Sequence, residues 1–132
     1  HILPAAPWTR DVKLILQPMS PQEVLRQWLI AHGYAILWEG IAREGEKFYP
    51  LFTATGGQSP RYSPGELWAG RQQQGEDNPH RLAYLTEQIR RRQRALEGMA
   101  QSSRPDPAQL DRERTLQNDL QRMREEWIQW QR

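Results

Sequence analysis

The sequence contains no cysteine. Disulfide bonds and thiolate zinc sites are therefore excluded, and the absence is compatible with a cytosolic protein. Only 3 histidines occur, far apart in the chain. Because a metal site needs several converging ligands, we expect no metal, and we predict structural or solvated roles for His32 at a helix end and His80 at a helix start.

Long hydrophobic runs are also missing. No apolar stretch approaches the roughly 20 residues that a membrane-spanning helix requires, and residues 1–8 lack the basic region and apolar core of a secretory signal. With 37% hydrophobic residues and a mean hydropathy of -0.90, the 132 residues offer little apolar material for a single compact core. We expect a soluble, cytoplasmic protein, part of which is elongated.

Motifs of self-contained enzymes are absent as well. The chain has no Gly-x-Ser-x-Gly elbow, no His-Glu-x-x-His zinc motif and no convincing pair of carboxylates for acid–base hydrolysis. Gly56 and Gly57 are adjacent but lack the further glycines of a phosphate-binding loop. The residues alone predict no complete active site.

Residues 1–57 are predicted to form a strand, a helix and two further strands. Val12 to Leu16 is nearly all apolar, as is typical of a strand buried on both faces of a mainly parallel sheet. A helix is predicted from Pro21 to about His32, with Ser20 as its N-cap, Glu23 completing a capping box and Gly33 as its C-terminal cap. Its apolar face consists of Val24, Leu25, Trp28 and Leu29.

The next two predicted strands are Tyr34 to Ala42 and Lys47 to Thr55, joined by a polar turn that contains Gly45. Pro50 cannot donate a hydrogen bond to a neighbouring strand. We therefore expect the second of these strands either to bulge at Pro50 or to expose that position to solvent.

Residues 58–79 are rich in glycine, proline, serine and glutamine and are predicted to be a connector. Residues 80–132 are predicted to form two helices with heptad spacing, broken by residues 101–107. The predicted seams are Leu82, Leu85, Ile89, Arg92, Leu96 and Met99 in one helix, and Glu113, Leu116, Leu120, Met123, Trp127 and Trp130 in the other. An antiparallel coiled-coil hairpin is favoured over an intermolecular coiled coil, and Arg92 is a candidate partner of Glu113 across the seam.

Positive charge is concentrated in the second part of the chain. Residues 1–79 carry 7 basic and 8 acidic side chains, whereas residues 80–132 carry 11 basic and 8 acidic ones. The basic residues of the second part are arginines, which suit bidentate contacts with phosphate and stacking on bases. RNA binding and a merely solvated helix surface both remain open.

Three residues follow the first predicted strand directly: Gln17, Pro18 and Met19. Ligands of open α/β sheets bind beyond the carboxyl ends of parallel strands, so we predict substrate contacts here. The Gln17 amide suits hydrogen bonding to a base edge, although a local role at the strand end is equally compatible with the sequence.

The chain resembles bacterial tRNA (adenine-N1)-methyltransferases of the TrmK type. The resemblance rests on Leu14-Ile-Leu-Gln-Pro-Met19, on the following Leu25-Arg26, Trp28-Leu29 and His32-Gly33-Tyr34, and on Glu39 and Lys47-Phe-Tyr49. Tyr62, Glu66-Leu67 and Gly70 before the paired helices also fit. The resemblance implies the C-terminal part of a Rossmann-like, S-adenosylmethionine-dependent class I methyltransferase sheet, followed by a coiled-coil hairpin.

By this resemblance, the three strands are the fifth, sixth and seventh of a seven-stranded sheet, and the antiparallel seventh inserts between the other two. The cofactor loop, the acidic ribose ligand and the catalytic motif then precede His1. We therefore expect this chain alone neither to bind S-adenosylmethionine well nor to transfer a methyl group.

The expected partner is tRNA. We expect the hairpin arginines Arg90, Arg91, Arg92 and Arg94 to contact the tRNA backbone. The alternative is a non-catalytic module in which the hairpin binds RNA or protein and the strands only support it.

Overall fold

The computed structural model describes residues 14–16 and 22–132. Within them lie the strands β1 (Leu14–Leu16), β2 (Tyr34–Glu44) and β3 (Lys47–Gly56). The helices are α1 (Gln22–Ala31), α2 (Pro64–Ala69), α3 (Arg81–Ala100) and α4 (Pro107–Trp130). The chain forms two compact units, one ending at Arg61 and the other beginning at Tyr62.

The first unit contains a three-stranded sheet in the order β1-β3-β2. β3 lies in the middle and is antiparallel to both neighbours, with Leu16 opposite Phe52 on one side and Glu39 opposite Phe52 on the other. The last strand is thus inserted between the other two, as the resemblance implies. β1 and β2, both antiparallel to β3, are parallel to each other.

β2 and β3 form the predicted hairpin. Only Gly45 and Glu46 separate the two strands. Gly45 has a φ of 61°, a left-handed conformation that glycine adopts at little cost. A two-residue loop with glycine first is the type II′ arrangement, whose twist matches that of the flanking strands.

The sheet has its irregularity in β2 and not at Pro50. Pro50 lies opposite Ile41 in unbroken register, so the first of the two predicted alternatives, a bulge at Pro50, does not occur. Instead, Ile36 pairs with Ala54 and Trp38 with Thr53, which leaves Leu37 as an extra residue. The described part of β1 ends opposite Phe52, so Pro50 lies beyond the positions at which β1 is described to pair with β3.

α1 covers one face of the sheet. Its Leu25 and Leu29 are fully buried in a core with Tyr34, Phe52 and Ala54. The predicted apolar face is wrong at Val24, which is 53% exposed. The inward face contains Arg26 instead, because its guanidinium group finds polar partners at the sheet surface.

Arg26 is 1% exposed and forms an ion pair with Glu39 of β2. Its Nη2 donates to Glu39 Oε1 at 2.6 Å and to Gln22 Oε1 at 2.9 Å. The guanidinium carbon lies 5.1 Å from the centre of the Phe52 ring. The pair therefore connects α1 to both β2 and β3.

The histidines that the sequence placed at helix ends lie there. His32 follows α1, where its Nδ1 is 2.7 Å from the Trp28 carbonyl oxygen and its ring stacks on Trp28 with 4.1 Å between the centroids. His80 is the N-cap residue of α3 but makes no side-chain capping bond. The contacts of His32 are structural, and the predicted structural or solvated role of His80 stays a prediction.

The second unit begins with a helix within the predicted connector. Ser63 Oγ accepts from the Glu66 backbone N–H at 3.3 Å, and Glu66 Oε1 accepts from the Ser63 N–H at 2.8 Å. This is a complete capping box with Pro64 in the first turn. The same Ser-Pro-x-Glu pattern occurs at residues 20–23, so the sequence contained the signal for α2.

α3 and α4 run in opposite directions. Cross-helix hydrogen bonds join Thr86 to Arg124 and Gln93 to Gln117, so positions advance along α3 as they retreat along α4. The helices are separated by residues 101–106, close to the predicted break. The side chains buried at this packing include Tyr84, Leu85, Leu116, Leu120, Met123 and Trp127.

The predicted seam fails at its first position. Leu82 is 37% exposed, whereas Arg81 and Tyr84, which lie outside the seam, are each 2% exposed. This difference follows from α2, because Arg81 reaches carbonyl groups at the end of α2. The beginning of α3 therefore packs against α2 as well as α4, so its buried positions differ from those of a two-helix contact.

Asp119 of α4 holds the start of α2. Its Oδ2 accepts from the Gly65 N–H at 2.7 Å, and its Oδ1 accepts from Arg122 Nε at 2.8 Å. Burial raises the pKa of Asp119, but hydrogen bonds from Ser63, Arg122 and Gly65 outweigh it and hold the pKa below its ordinary value of 3.8. The ionised carboxylate therefore stabilises the folded helical unit.

We expect this stabilisation to depend on pH. A pKa that is lower in the folded state makes the contribution complete above about pH 4 and removes it as the pH falls through the folded value. Asp119→Asn is expected to lower the free energy of unfolding by about 1 kcal/mol at pH 7. Urea denaturation between pH 2 and 7 checks this, since the gap between Asp119→Asn and wild type is expected to close at the acid end. A constant gap would contradict it.

Candidate functional site

The carboxyl edge of the sheet is the first candidate site. Because β1 and β2 are parallel, their carboxyl ends lie at the same edge. β1 ends at Leu16, opposite Phe52, while β2 continues to Glu44 and turns into β3 there. The tip of the hairpin therefore extends past the described part of β1, on the side where substrates of such sheets bind.

The sequence-predicted substrate residues Gln17, Pro18 and Met19 lie outside the described residues. Their role stays a prediction. The described part of the same edge contributes the hairpin tip, where an open depression of about 410 Å³ is lined by Ala42, Arg43, Glu44, Tyr49 and Leu51.

Arg43 is fixed at this tip. Its Nε donates to the Gly45 carbonyl oxygen at 2.9 Å, and its guanidinium carbon lies 5.3 Å from the centre of the Phe48 ring. With Lys47 exposed beside it, the tip offers cations and aromatic rings but also the carboxylates of Glu44 and Glu46. The described residues of this edge can contact a substrate, and none of them forms a catalytic group with a base or nucleophile.

Gly56 ends β3, and Gly57, which follows it, has a structural role. The Gly57 N–H donates to the Gly33 carbonyl oxygen at 2.8 Å. This bond joins the end of β3 to the start of β2, so the Gly57 amide is occupied within the sheet. The Gly57 N–H is therefore not available to bind a phosphate group in this arrangement.

The four predicted RNA-binding arginines of α3 differ in their surroundings. Arg90 and Arg91 are 51% and 60% exposed, with Glu87 at 3.7 and 3.0 Å. Arg94 is also exposed, and no ion pair is found for it among the described residues. Ion pairs at such exposed positions are weak and exchange readily for other anions.

Arg92 is held between the helices. Its Nη1 donates to Glu113 Oε1 at 2.8 Å, so the predicted cross-helix pair is present. Its guanidinium carbon lies 4.5 Å from the centre of the Trp68 ring, and its side chain is 23% exposed. Trp68 in turn donates to Gln88 Oε1 at 2.9 Å, which fixes α2 to α3.

A groove of about 450 Å³ lies between α3 and α4. Its lining includes Ile89, Arg90, Gln93, Gln117, Gln121 and Arg124. The sequence prediction missed every member except Arg90 as a functional residue. A signal existed, because residues 117, 121 and 124 follow one another at spacings of four and three, as a polar stripe beside the α4 seam.

The described residues contain no cluster of three or more histidine, cysteine, aspartate or glutamate side chains that suits a metal ion. None of the helices in this part of the chain combines the length and apolar character needed to cross a membrane.

The family model of the tRNA (adenine(22)-N(1))-methyltransferases, TrmK, matches residues 5–125. No curated protein matches the chain significantly. Several solved structures are similar to it, and the chain spans about half the length of each of those described next.

One similar structure is a Streptococcus pneumoniae protein assigned provisionally as a tRNA (m1A22) methyltransferase, with 24% identity and a TM-score of 0.66 over 85% of this chain and 49% of the other. A Streptococcus agalactiae protein of the NADB-Rossmann superfamily has 20% identity and a TM-score of 0.66 over 85% and 47%. TrmK of M. capricolum in complex with S-adenosyl-homocysteine has 20% identity and a TM-score of 0.63 over 86% and 49%. The fold is thus that of part of a Rossmann-like protein.

Proposed function

The chain belongs to the TrmK family of tRNA (adenine(22)-N(1))-methyltransferases, and we propose that it is the C-terminal part of an enzyme that methylates N1 of an adenine in tRNA. The observation that carries the proposal is the strand order β1-β3-β2 with an antiparallel central strand, joined to a match of the family model over residues 5–125. The proposed setting is the cytoplasm.

The methyl donor in this proposal is S-adenosylmethionine. The similar structure from M. capricolum contains the natural cofactor product, S-adenosyl-homocysteine. The described residues of this chain do not form a site for that group, because they offer no glycine-rich turn between a strand and a helix. The residues that hold the cofactor are therefore proposed to lie upstream, and we derive no step of the transfer from this chain.

The contribution of the first unit is positioning. Methyl transfer requires the adenine N1 atom to be held in line with the donor methyl group. Gln17, Pro18 and Met19 are proposed to contact the substrate at the carboxyl edge, where the hairpin tip with Arg43 and Tyr49 extends past β1. An amide such as that of Gln17 suits hydrogen bonding to the edge of a base.

The second unit is proposed to bind tRNA. We propose that α3 and α4 pack as an antiparallel coiled coil and present Arg90, Arg91 and Arg94 to the tRNA backbone. These side chains are exposed, and arginine forms bidentate contacts with phosphate. Arg92, held by Glu113 and Trp68, is proposed to contribute at the edge of this surface.

The experiment is an assay of the native-length protein from its source. Tritium transfer from S-adenosylmethionine to tRNA is measured, and the methylated adenine is located by primer extension. We expect the triple variant Arg90→Glu, Arg91→Glu, Arg94→Glu to lower tRNA affinity about tenfold or more. We also expect its affinity to depend less steeply on salt concentration, because fewer counterions are released from the tRNA when phosphate contacts are lost.

The matched control reverses three exposed arginines elsewhere in the helical unit: Arg104, Arg112 and Arg114. Equal losses in both variants would contradict a specific surface on α3. A native-length protein that binds tRNA without methylating it would support the alternative of a non-catalytic RNA-binding module. If the protein neither binds nor methylates tRNA, a protein-binding module is the remaining alternative.

A further inference from the structure

The groove between α3 and α4 is lined by polar side chains that the packing of two helices does not require. Helix contacts are normally filled by apolar side chains, as they are here at Leu116 and Leu120. Beside them, three glutamine side chains line an opening of about 450 Å³. That volume lies within the range of about 300–1,000 Å³ found for pockets that hold small ligands.

Gln117 carries an unmet hydrogen-bonding group in this lining. It is 5% exposed, and its Nε2 donates to Gln93 Oε1 at 2.8 Å. Its Oε1 is buried and has no partner among the described residues. Reversing the amide merely leaves its nitrogen unpaired instead, so one atom stays without a partner in either orientation. Water does not reach this oxygen either, so a ligand meets it only when the Gln117 side chain turns toward the opening, and the hydrogen bond then removes the cost of that burial.

Positive charge lies at the same groove. Arg90 is half exposed and only loosely paired, with Glu87 at 3.7 Å. Arg124 is held in place by a hydrogen bond from its Nε to Thr86 Oγ1 at 2.9 Å. The lining also contains one carboxylate, Glu125, so the two arginines leave the groove with a net positive charge.

We propose that this groove binds one nucleotide of the RNA substrate, with its phosphate at Arg90 and Arg124 and an N–H group of its base at Gln117. Ile89 supplies an apolar wall for the face of the base. Amide side chains are suited to the edges of unstacked bases, and arginine to phosphate. The inference rests on the proposed function, in that it takes tRNA as the source of the nucleotide.

The test follows the side-chain amide resonances of glutamine in the native-length protein by nuclear magnetic resonance. The probes are adenosine 5′-monophosphate, adenosine and inorganic phosphate, each added alone. We expect the monophosphate to shift the amide signals of Gln117 and Gln93 and to bind more tightly than either fragment. This measurement uses the unaltered protein, so it does not depend on the folding of a variant.

Variants show which residues bind the base of the nucleotide and which bind its phosphate. Gln117→Met, which keeps the side-chain length, is expected to weaken monophosphate binding about fivefold and to leave phosphate binding unchanged. Arg90→Gln with Arg124→Gln is expected to weaken both. The matched control, Arg104→Gln with Arg112→Gln, removes the same charge outside the groove and is expected to change monophosphate binding less than twofold, an estimate for exposed charges.

Other outcomes overturn the proposal. Equal binding of phosphate and monophosphate, unaffected by Gln117→Met, would mean an anion site only. If neither nucleotide nor tRNA shifts the glutamine signals, the groove does not bind a nucleotide, and a protein partner is the remaining candidate. If these signals stay unshifted while the protein methylates tRNA, the groove inference fails and the proposed function stands. If tRNA is neither bound nor methylated, the proposed function fails irrespective of the mononucleotide result.

Discussion

Replacing Arg26 with methionine is expected to lower the free energy of unfolding of the sheet unit by about 3–5 kcal/mol, the usual cost of breaking a buried ion pair. Methionine fills much of the same volume, so the loss is electrostatic more than steric. The Glu39 side chain, 11% exposed, keeps its carboxylate but loses a cation at 2.6 Å. The contact of the guanidinium group with Phe52 is lost as well.

Urea denaturation followed by amide hydrogen exchange of β2 and β3 measures this change. The matched control is the double variant Arg26→Met, Glu39→Leu, which removes both charges. Because a buried pair is often replaceable by apolar side chains, the double variant is expected to be more stable than Arg26→Met alone. A single variant within 1 kcal/mol of wild type, well under the usual cost, would show that water or other side chains solvate Glu39.

Much of the sheet unit is predictable because its signals are local. The apolar-rich segments of β2 and β3, the turn at Gly45 and the cap at Gly33 all depend on residues close in sequence. The bulge at Leu37 depends on pairing with β3, and the burial of Arg26 depends on Glu39, 13 positions away. Both were missed for that reason, and Val24 was placed inside where Arg26 lies.

In the helical unit, too, most features that depend on neighbouring residues were predicted, and most features that depend on distant contacts were missed. Heptad spacing predicted α3, α4 and the pair between Arg92 and Glu113. The six-residue α2 was missed because it is too short to show periodicity, and its capping box at Ser63 is the one local signal for it. Without α2, the sequence gives no reason for Leu82 to be exposed or for Arg81 to be buried.

The sequence predicts which residue types the candidate site contains better than it predicts where they lie relative to one another. Clustered arginines indicated the α3 surface, but they did not distinguish Arg90, at the groove, from Arg92, between the helices. Gln117 and Arg124 belong to the groove only because α4 returns beside α3. Contacts between residues more than 20 positions apart define it, and single-residue patterns do not report such contacts.

Arg81→Met is expected to destabilise the helical unit by about 3–5 kcal/mol, because several buried acceptors lose one charged donor. Arg81 is 2% exposed, and its guanidinium group donates to the carbonyl oxygens of Ala69 and Gly70 at the end of α2. Its Nε donates to Gln72 Oε1 at 3.2 Å. Gln72 continues the connection to α4 through a bond of 2.8 Å to the Met123 carbonyl oxygen.

Arg81→Lys separates charge from geometry in this cluster. Lysine keeps the positive charge that favours a helix C-terminus but lacks the planar fork that reaches three acceptors at once. We expect it to recover less than half of the loss, as measured by thermal unfolding of the helices followed by circular dichroism, with every tryptophan retained. Full recovery with lysine would show that the interaction with the end of α2 is electrostatic alone. An unchanged stability of Arg81→Met would mean that water replaces the guanidinium group, and that α2 is held to α3 and α4 mainly by Trp68 and Asp119.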